Sequence, residues 1–336
     1  MIPEDLTKKI LSVAREQLVE EGFASDGESV ASEAEDEVDF EADGYYDEED
    51  EDVQMEYSRK RAKGENEGKR GIDFSEIETD LPAEVIEHYT RIGKFLSCYT
   101  VGKIPKGFKV LPTRRQWEEL LYYTNPVEWT PHAHYQATKI FASNLNDNLA
   151  QRYFNLVLLP AVRADIKQNK KLHFQLYQSL KKAMFKPLAF MKGILLPVAD
   201  APDCTLKEAV IIGSIVGKLT VPMAYGAAAL FKLACGYENW TPVKSVLINI
   251  LVNKKYSLPT TVVEGLVGHF ESFTFADSKM PVLWHATLLS FVQRYRESLS
   301  QDQTQRLLDL IKVQSHYQVS LEIRRELRSS PEDVDM

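Results

Sequence analysis

From about Leu81 to Arg328 the chain repeats one pattern: runs of about 10 to 16 residues with apolar positions every three or four, each stopped by Pro, Gly or Asn. That period is helical. Leu172, Leu176, Leu180 and Met184 fall on one face of a predicted helix, with Lys171, Gln175, Gln178 and Lys182 on the opposite face. Val282 to Tyr295 and Thr304 to Val313 repeat the rhythm. Pro82, Pro131, Pro160, Pro187, Pro222, Pro242, Pro259 and Pro281 all stand where a helix can begin. Two-residue alternation is confined to a brief trace at "FKVLP", Phe108 to Pro112. About a dozen short helices in series predict an all-α body, an α-solenoid of HEAT-like stacked helix pairs, without a clean repeat length.

Ahead of this body the pattern changes. Asp5 to Glu21 reads as a short amphipathic helix, so residues 1–22 form one segment. Residues 23–80 are expected to be a disordered acidic arm and basic linker, because the arm is too polar and self-repelling to collapse. The helical domain is placed at 81–328 and a tail at 329–336.

The net charge of −9 conceals this division. Glu20 to Ser58 holds 18 Asp and Glu with no Lys or Arg, whereas Leu81 to Arg328 holds 31 Lys and Arg against 19 Asp and Glu. An acidic arm precedes a basic body. Cys98, Cys204 and Cys235 are odd in number and far apart, which argues against a disulfide framework and a Cys-rich zinc site and for a reducing compartment. The amphipathic N-terminus lacks the apolar core of a signal peptide, and Lys218, Pro222 and Lys232 interrupt the most apolar stretch. The expectation is a soluble intracellular protein without a membrane partner.

Several chemistries are imitated rather than present. "AVIIGSIVGKLTVP" (Ala209 to Pro222) approaches a phosphate-gripping loop, but three residues separate Gly213 from Gly217 where the motif needs four, and Leu219 replaces the magnesium hydroxyl. Thr205 and Glu208 form a capping box just before it, so a buried helix ending near Gly217 is predicted. Asp39, Asp43 and Gly44 mimic a calcium loop, with Glu41 and Asp50 at the wrong places for closure. His132 and His134 are poorly spaced for chelation on the helix that Thr130 and Pro131 start. No zincin or serine-hydrolase motif occurs. No catalytic residue, metal or cofactor is therefore assigned.

Positive charge remains. Between Arg91 and Arg115 seven basic residues occur with no acid, and between Arg152 and Lys192 nine occur against Asp165 alone. The candidate RNA-phosphate contacts are Lys103, Lys106, Lys109, Arg114, Arg115, Arg163, Lys167, Lys170, Lys171, Lys181, Lys182, Lys186 and Lys192. Arg163, Lys167, Lys170 and Lys171 would form one helical stripe if the helix continues that far. The bland alternative for all of them is an ordinary solvated face. Phe174, Tyr177, Phe185 and Phe190 lie among these lysines at helical spacing, which favours core positions over base-stacking platforms. Arg59, Lys60, Arg61 and Lys63 in "RKRAK" satisfy a short nuclear-import pattern. Ser25 and Ser32 each precede an acid at +3 and suit acidophilic kinases.

"FASNL", "AQRYFNLVLLPAVRADI", "LKKAMFKPLAFMKGILLP", "PVLWHATLLSFVQRY" and "LEIRREL" closely resemble the bystin family over about Leu81 to Leu327. The resemblance implies a helical, non-catalytic assembly factor of the small ribosomal subunit, acting in nucleolus and nucleus with passage to the cytoplasm on pre-ribosomal particles. Its implied partners are precursor small-subunit ribosomal RNA, other assembly factors, head and beak ribosomal proteins, and a nuclear import receptor. Members of that family usually carry a longer Lys and Arg-rich N-terminal extension, so here "RKRAK" is expected to carry more of the import. The competing class is an α-solenoid adaptor that binds peptide segments without touching RNA.

Overall fold

The computed structural model describes residues 81–235, 240–276 and 278–328. The helix expected over Asp5 to Glu21, the acidic arm, the calcium-like run, the import signal at Arg59 to Lys63, Ser25, Ser32 and the 329–336 tail lie outside the described residues. Within them the fold is all-α, with fourteen helices and no strand. The first three are α1 (Ala83–Leu96), α2 (Lys106–Val110) and α3 (Trp117–Tyr123). Next come α4 (Pro131–Asn144), then α5, one continuous helix made of Asp147–Tyr153, a π turn Phe154–Leu158 and Leu159–Asn169, then α6 (Phe174–Ala183). A second continuous helix, α7, joins Pro187–Phe190, a π turn Met191–Leu195 and Leu196–Asp200. The remainder are α8 (Leu206–Lys218), α9 (Met223–Ala234), α10 (Pro242–Val252), α11 (Thr260–Glu271), α12 (Val282–Tyr295), α13 (Gln301–Val313) and α14 (Val319–Arg328).

Packing follows from the one-sided apolar faces. From α4 onward each helix lies against the one two positions later, so α4, α6, α8, α10, α12 and α14 make one row and α5, α7, α9, α11 and α13 another. Contacts such as α9 with α10 and α13 with α14 join the rows. Helices of the first row begin at residues 131, 174, 206, 242, 282 and 319, a spacing of 32 to 43 residues. Stacked helix pairs are thus present, with no fixed repeat to assign them to the HEAT class.

Local chemistry starts the helices. Thr130, Asn146, Thr205, Thr241 and Ser300 each accept a backbone N–H at an N-cap, and Thr205–Glu208 and Ser300–Gln303 are full capping boxes. Seven of the eight flagged prolines stand at an N-cap or first helical position. Pro160 is the exception and sits inside α5. It stands two residues past the end of a π turn, as Pro197 does in α7, and the widened turn makes room for a ring that would otherwise collide with the carbonyl four residues back. For Pro197 that carbonyl belongs to Gly193, which instead accepts Asn155 Nδ2 of α5 at 3.4 Å. Only glycine fits there, because a Cβ at Gly193 would come within 2.7 Å of the Gln151 carbonyl oxygen.

The trace of alternation at "FKVLP" is helical. Phe108 and Leu111 are buried three apart on α2 and the 3-10 turn after it. Phe108 meets Trp129 and Phe141 edge-on, and Phe141 stacks on Tyr153 at 4.3 Å, forming an aromatic core under α2, α4 and α5.

His269 on α11 is enclosed, with Nδ1 3.0 Å from the Ala234 carbonyl oxygen, and burial lowers its pKa to about 4. The unfolded ring titrates near 6.5, so folded chains bind this proton more weakly. Its contribution is complete above about pH 6.5 and is lost as pH falls towards about 4, by at most about 1.4 kcal/mol per pH unit. His269→Gln should remove one such slope from the pH dependence of urea-unfolding free energy. An identical slope in the variant would contradict this.

Candidate nucleic-acid interface

The first group of cations is displayed by α2 and its flanks. Pro105 opens α2, Phe108 and Leu111 turn inwards, and Lys103, Lys106, Lys109, Arg114 and Arg115 are left exposed. The backbone beneath them is anchored, since Tyr89 donates to the Gly107 carbonyl at 3.4 Å and a Cβ at Gly107 would meet His88 Nε2 at 2.8 Å. None of the five pairs with a carboxylate of a described residue.

The second group divides. Arg163 is not part of an exposed stripe: its Nη2 lies 2.9 Å from Asp203 Oδ1 and 3.6 Å from Glu208 Oε2, tying α5 to the start of α8. Burial lowers the arginine's pKa, but the hydrogen bond to Asp203 and the charges of Glu208 and Asp203 together outweigh it and raise the pKa, while Arg163 holds Asp203 below the usual carboxylate range. The stripe also stops early. α5 ends at Asn169, Lys170 adopts φ +57° at the cap, and Lys171 lies beyond the helix. Asp165 fixes this turn by accepting Asn169 Nδ2 at 2.7 Å and the His173 N–H at 2.6 Å, and His173 Nδ1 in turn caps α6. Lys167, Lys170 and Lys171 remain exposed, with no ion pair to a described residue.

On α6 and α7, Lys186 lies 3.3 Å from Asp147 Oδ1, so a carboxylate of the same chain already meets it. Lys181 sits over the Tyr177 ring and Lys182 over the Phe185 ring at 4.0 Å. Burial first, and the nearby Lys139 second, lower the pKa of Lys182. Lys192 rides exposed on the π turn of α7.

Two features escaped the sequence reading. Phe190 is core as expected, but Phe174 is 61% and Phe185 74% exposed. These rings stand at either end of α6, with Tyr177, Lys181 and Lys182 between them along one face. Helical spacing does not separate this arrangement from a core stripe. The second is Lys139, exposed on α4 and close enough to depress Lys182. A lone lysine belongs to no basic run, and only the packing of α4 on α6 reveals it. α4 also packs against the Leu111–Thr113 turn, so it links both cationic groups.

Other candidate chemistry is occupied by structure. The phosphate-loop mimic is helix α8, with its capping box in place. Gly213 brings α8 so near α10 that a Cβ would sit 2.3 Å from Ile250 Cδ1. Lys254 Nζ closes the end of α8 by donating to the carbonyls of Gly217 and Leu219. His134 is buried against Trp129, its pKa lowered to about 4 by burial, while His132 meets His173. Among the described residues no group of three His, Cys, Asp or Glu is placed to hold a metal, and no helix is long and apolar enough to cross a membrane.

Comparison with known proteins gives a consistent result. The family profile described as Bystin matches residues 47–335. Bystin of Homo sapiens is 48% identical over 256 residues, covering 76% of this chain and 58% of that protein. Bystin of Monosiga brevicollis is 46% identical over 274 residues, covering 80% and 66%. Bystin of Arabidopsis thaliana is 46% identical over 264 residues, covering 78% and 59%. The match thus spans roughly three fifths of these relatives' own length.

Because Glu208 is nearly buried, removing its partner leaves a charge poorly solvated. Arg163→Ala should cost about 1–3 kcal/mol of unfolding free energy, whereas Lys167→Ala should stay within about 0.5 kcal/mol of the parent. Chemical denaturation of the two variants checks this, and equal effects would remove Arg163 from its structural role.

Proposed function

The chain belongs to the bystin family, and from that membership we propose that it is a non-enzymatic assembly factor of the small ribosomal subunit that holds precursor ribosomal RNA. Its work lies in RNA processing and export of the young particle, in nucleolus and nucleus with passage to the cytoplasm. Other assembly factors, head and beak ribosomal proteins and an import receptor complete the proposed partners. The observation that carries this reading is the segregation of charge. Lys103, Lys106, Lys109, Arg114, Arg115, Lys139, Lys167, Lys170, Lys171 and Lys192 are exposed without an ion pair to any described residue. Several carboxylates elsewhere in the body are paired, as Glu264 and Glu271 are with Arg306 and Asp200 with Lys244.

Unpaired surface cations hold mobile counterions, and an RNA strand that replaces them gains the entropy of their release. Such contacts position a folded RNA without reading its sequence. Phe174 and Phe185 add flat apolar faces on which unpaired bases can stack, so single-stranded or loop RNA fits better than a continuous duplex. Arg163 and Lys186 are left out of the contact set because their own carboxylates compete for them.

If about six phosphates are engaged, log affinity should fall with log salt at a slope of about −4. Reversing Lys167, Lys170 and Lys171 to Glu should flatten that slope and weaken small-subunit RNA binding without moving the unfolding midpoint. Filter binding over a salt series measures both. Unchanged affinity in the reversed chain would return these residues to the status of a solvated face.

Phe185→Ala should weaken single-stranded RNA by about 1–3 kcal/mol and leave duplex RNA nearly unaffected. Equal losses on both would rule out stacking. The adaptor reading is favoured by a different observation: Val101, Tyr122 and Val127, near the first three helices, expose apolar surface that RNA does not need. A shallow salt slope together with tight peptide binding would support it.

A further inference from the structure

A cavity of about 460 Å³ opens far along the chain from these cations, between the segment entering α12, the α13–α14 link and the first turns of α14. Lys279, His316 and Arg324 line it, with the hydroxyl-bearing Ser315 and Tyr317, and no carboxylate of a described residue does so. Neither Lys279 nor Arg324 has an ion pair with a described residue. The neighbouring Glu322 is directed to Arg325, at 3.7 Å, and Asp309 to Lys312, at 2.6 Å. Among the described residues, the lining therefore offers donors and positive charge without a carboxylate to satisfy them.

The backbone that carries Lys279 and the His316 ring are held in place beforehand. Gln314 is buried, its Oε1 accepts the Met280 N–H at 3.0 Å, and its Nε2 donates to the carbonyls of Phe273 and Ser278 at 3.1 and 3.2 Å. Lys279 is thereby strung between two residues tied to one buried side chain. His316 Nδ1 accepts the N–H groups of Gln318 and Val319, and the His316 N–H is fixed on Ser320 Oγ at 2.8 Å. Burial lowers the pKa of His316, so at neutral pH its single ring proton resides on Nε2, which becomes a donor. A wall fixed in advance loses little entropy when an anion arrives.

We infer that this cavity receives the phosphoryl group of a phosphorylated serine or threonine in an extended segment of a partner protein. A phosphomonoester carries nearly two negative charges and three acceptor oxygens, which matches two cations and a histidine ring lining one cavity. Tyr317 and Leu321, 70% and 61% exposed at the rim, present apolar surface to the side chains flanking the phosphate. A long RNA strand fits less well, because α13 and α14 also carry Asp302, Asp309, Glu322 and Glu326 and build no extended basic field. The inference stands apart from RNA binding by α2, α4, α5 and α6.

The test exposes the full chain to a degenerate peptide library with a fixed central phosphoserine, and to the same library with serine. The phosphorylated library should be retained at least about tenfold better. Lys279→Ala and Arg324→Ala should each lower that retention about tenfold, with Arg324→Lys recovering part of it. All three variants should keep the parent's circular dichroism, urea midpoint and affinity for small-subunit RNA, which separates failure here from failure of the RNA reading. Equal retention of the two libraries would overturn the inference, as would phosphopeptide retention unaffected by either alanine. Displacement of the phosphopeptides by oligouridylate, with both alanines weakening the RNA instead, would assign the cavity to nucleic acid and equally overturn it.

Discussion

Most of these helices are 10 to 14 residues long, a length at which an isolated helix is marginal in water. From α4 onward they persist because their apolar stripes are covered by neighbours along the same row, with contacts such as α9 with α10 and α13 with α14 joining the rows. Covering one stripe in this way leaves the opposite face with no packing duty. That freedom allows Lys106, Lys109, Lys167 and Lys192 to stand in solvent at little cost to the fold.

Within the second row, α5 and α7 are fixed against one another where they meet. Both helices contain a proline that should break them, and both absorb it through a π turn just before it. The carbonyl freed in α7 is taken by Asn155 of α5, across an approach that only Gly193 permits. Lys192 is carried on that turn and Arg163 lies further along α5, so one device sets the stage for an exposed cation and for an internal ion pair.

Charge is used in two ways. Near α2 and α4 to α6 a set of exposed cations has no ion pair to a described residue, although Arg163 and Lys186 do, and that set suits a polyanion that spreads its contacts. Around α13 and α14 both signs mix, and most are paired within the chain. There a compact anion with a few strong bonds is better matched than a strand, since the surrounding carboxylates would repel distant phosphates.

Period and punctuation along the sequence determined the helical class, the start of α12 at Val282, the capping box at Thr205 and Glu208, and the dismissal of a phosphate loop around Gly213. Each depends on residues within about a turn of one another, which a linear reading sees in full. The sequence also placed the basic stretches, because counting charges requires no coordinates. Only the tertiary structure decided which cations are free: Arg163 meets Asp203 and Glu208 some forty residues away, and Lys186 meets Asp147 across two helices. It likewise turned Phe185 outwards and Phe190 inwards, and set Lys139 beside Lys182. Helical spacing fixes which residues share a face, but burial is decided by what another part of the chain brings against that face, and local order carries no record of it.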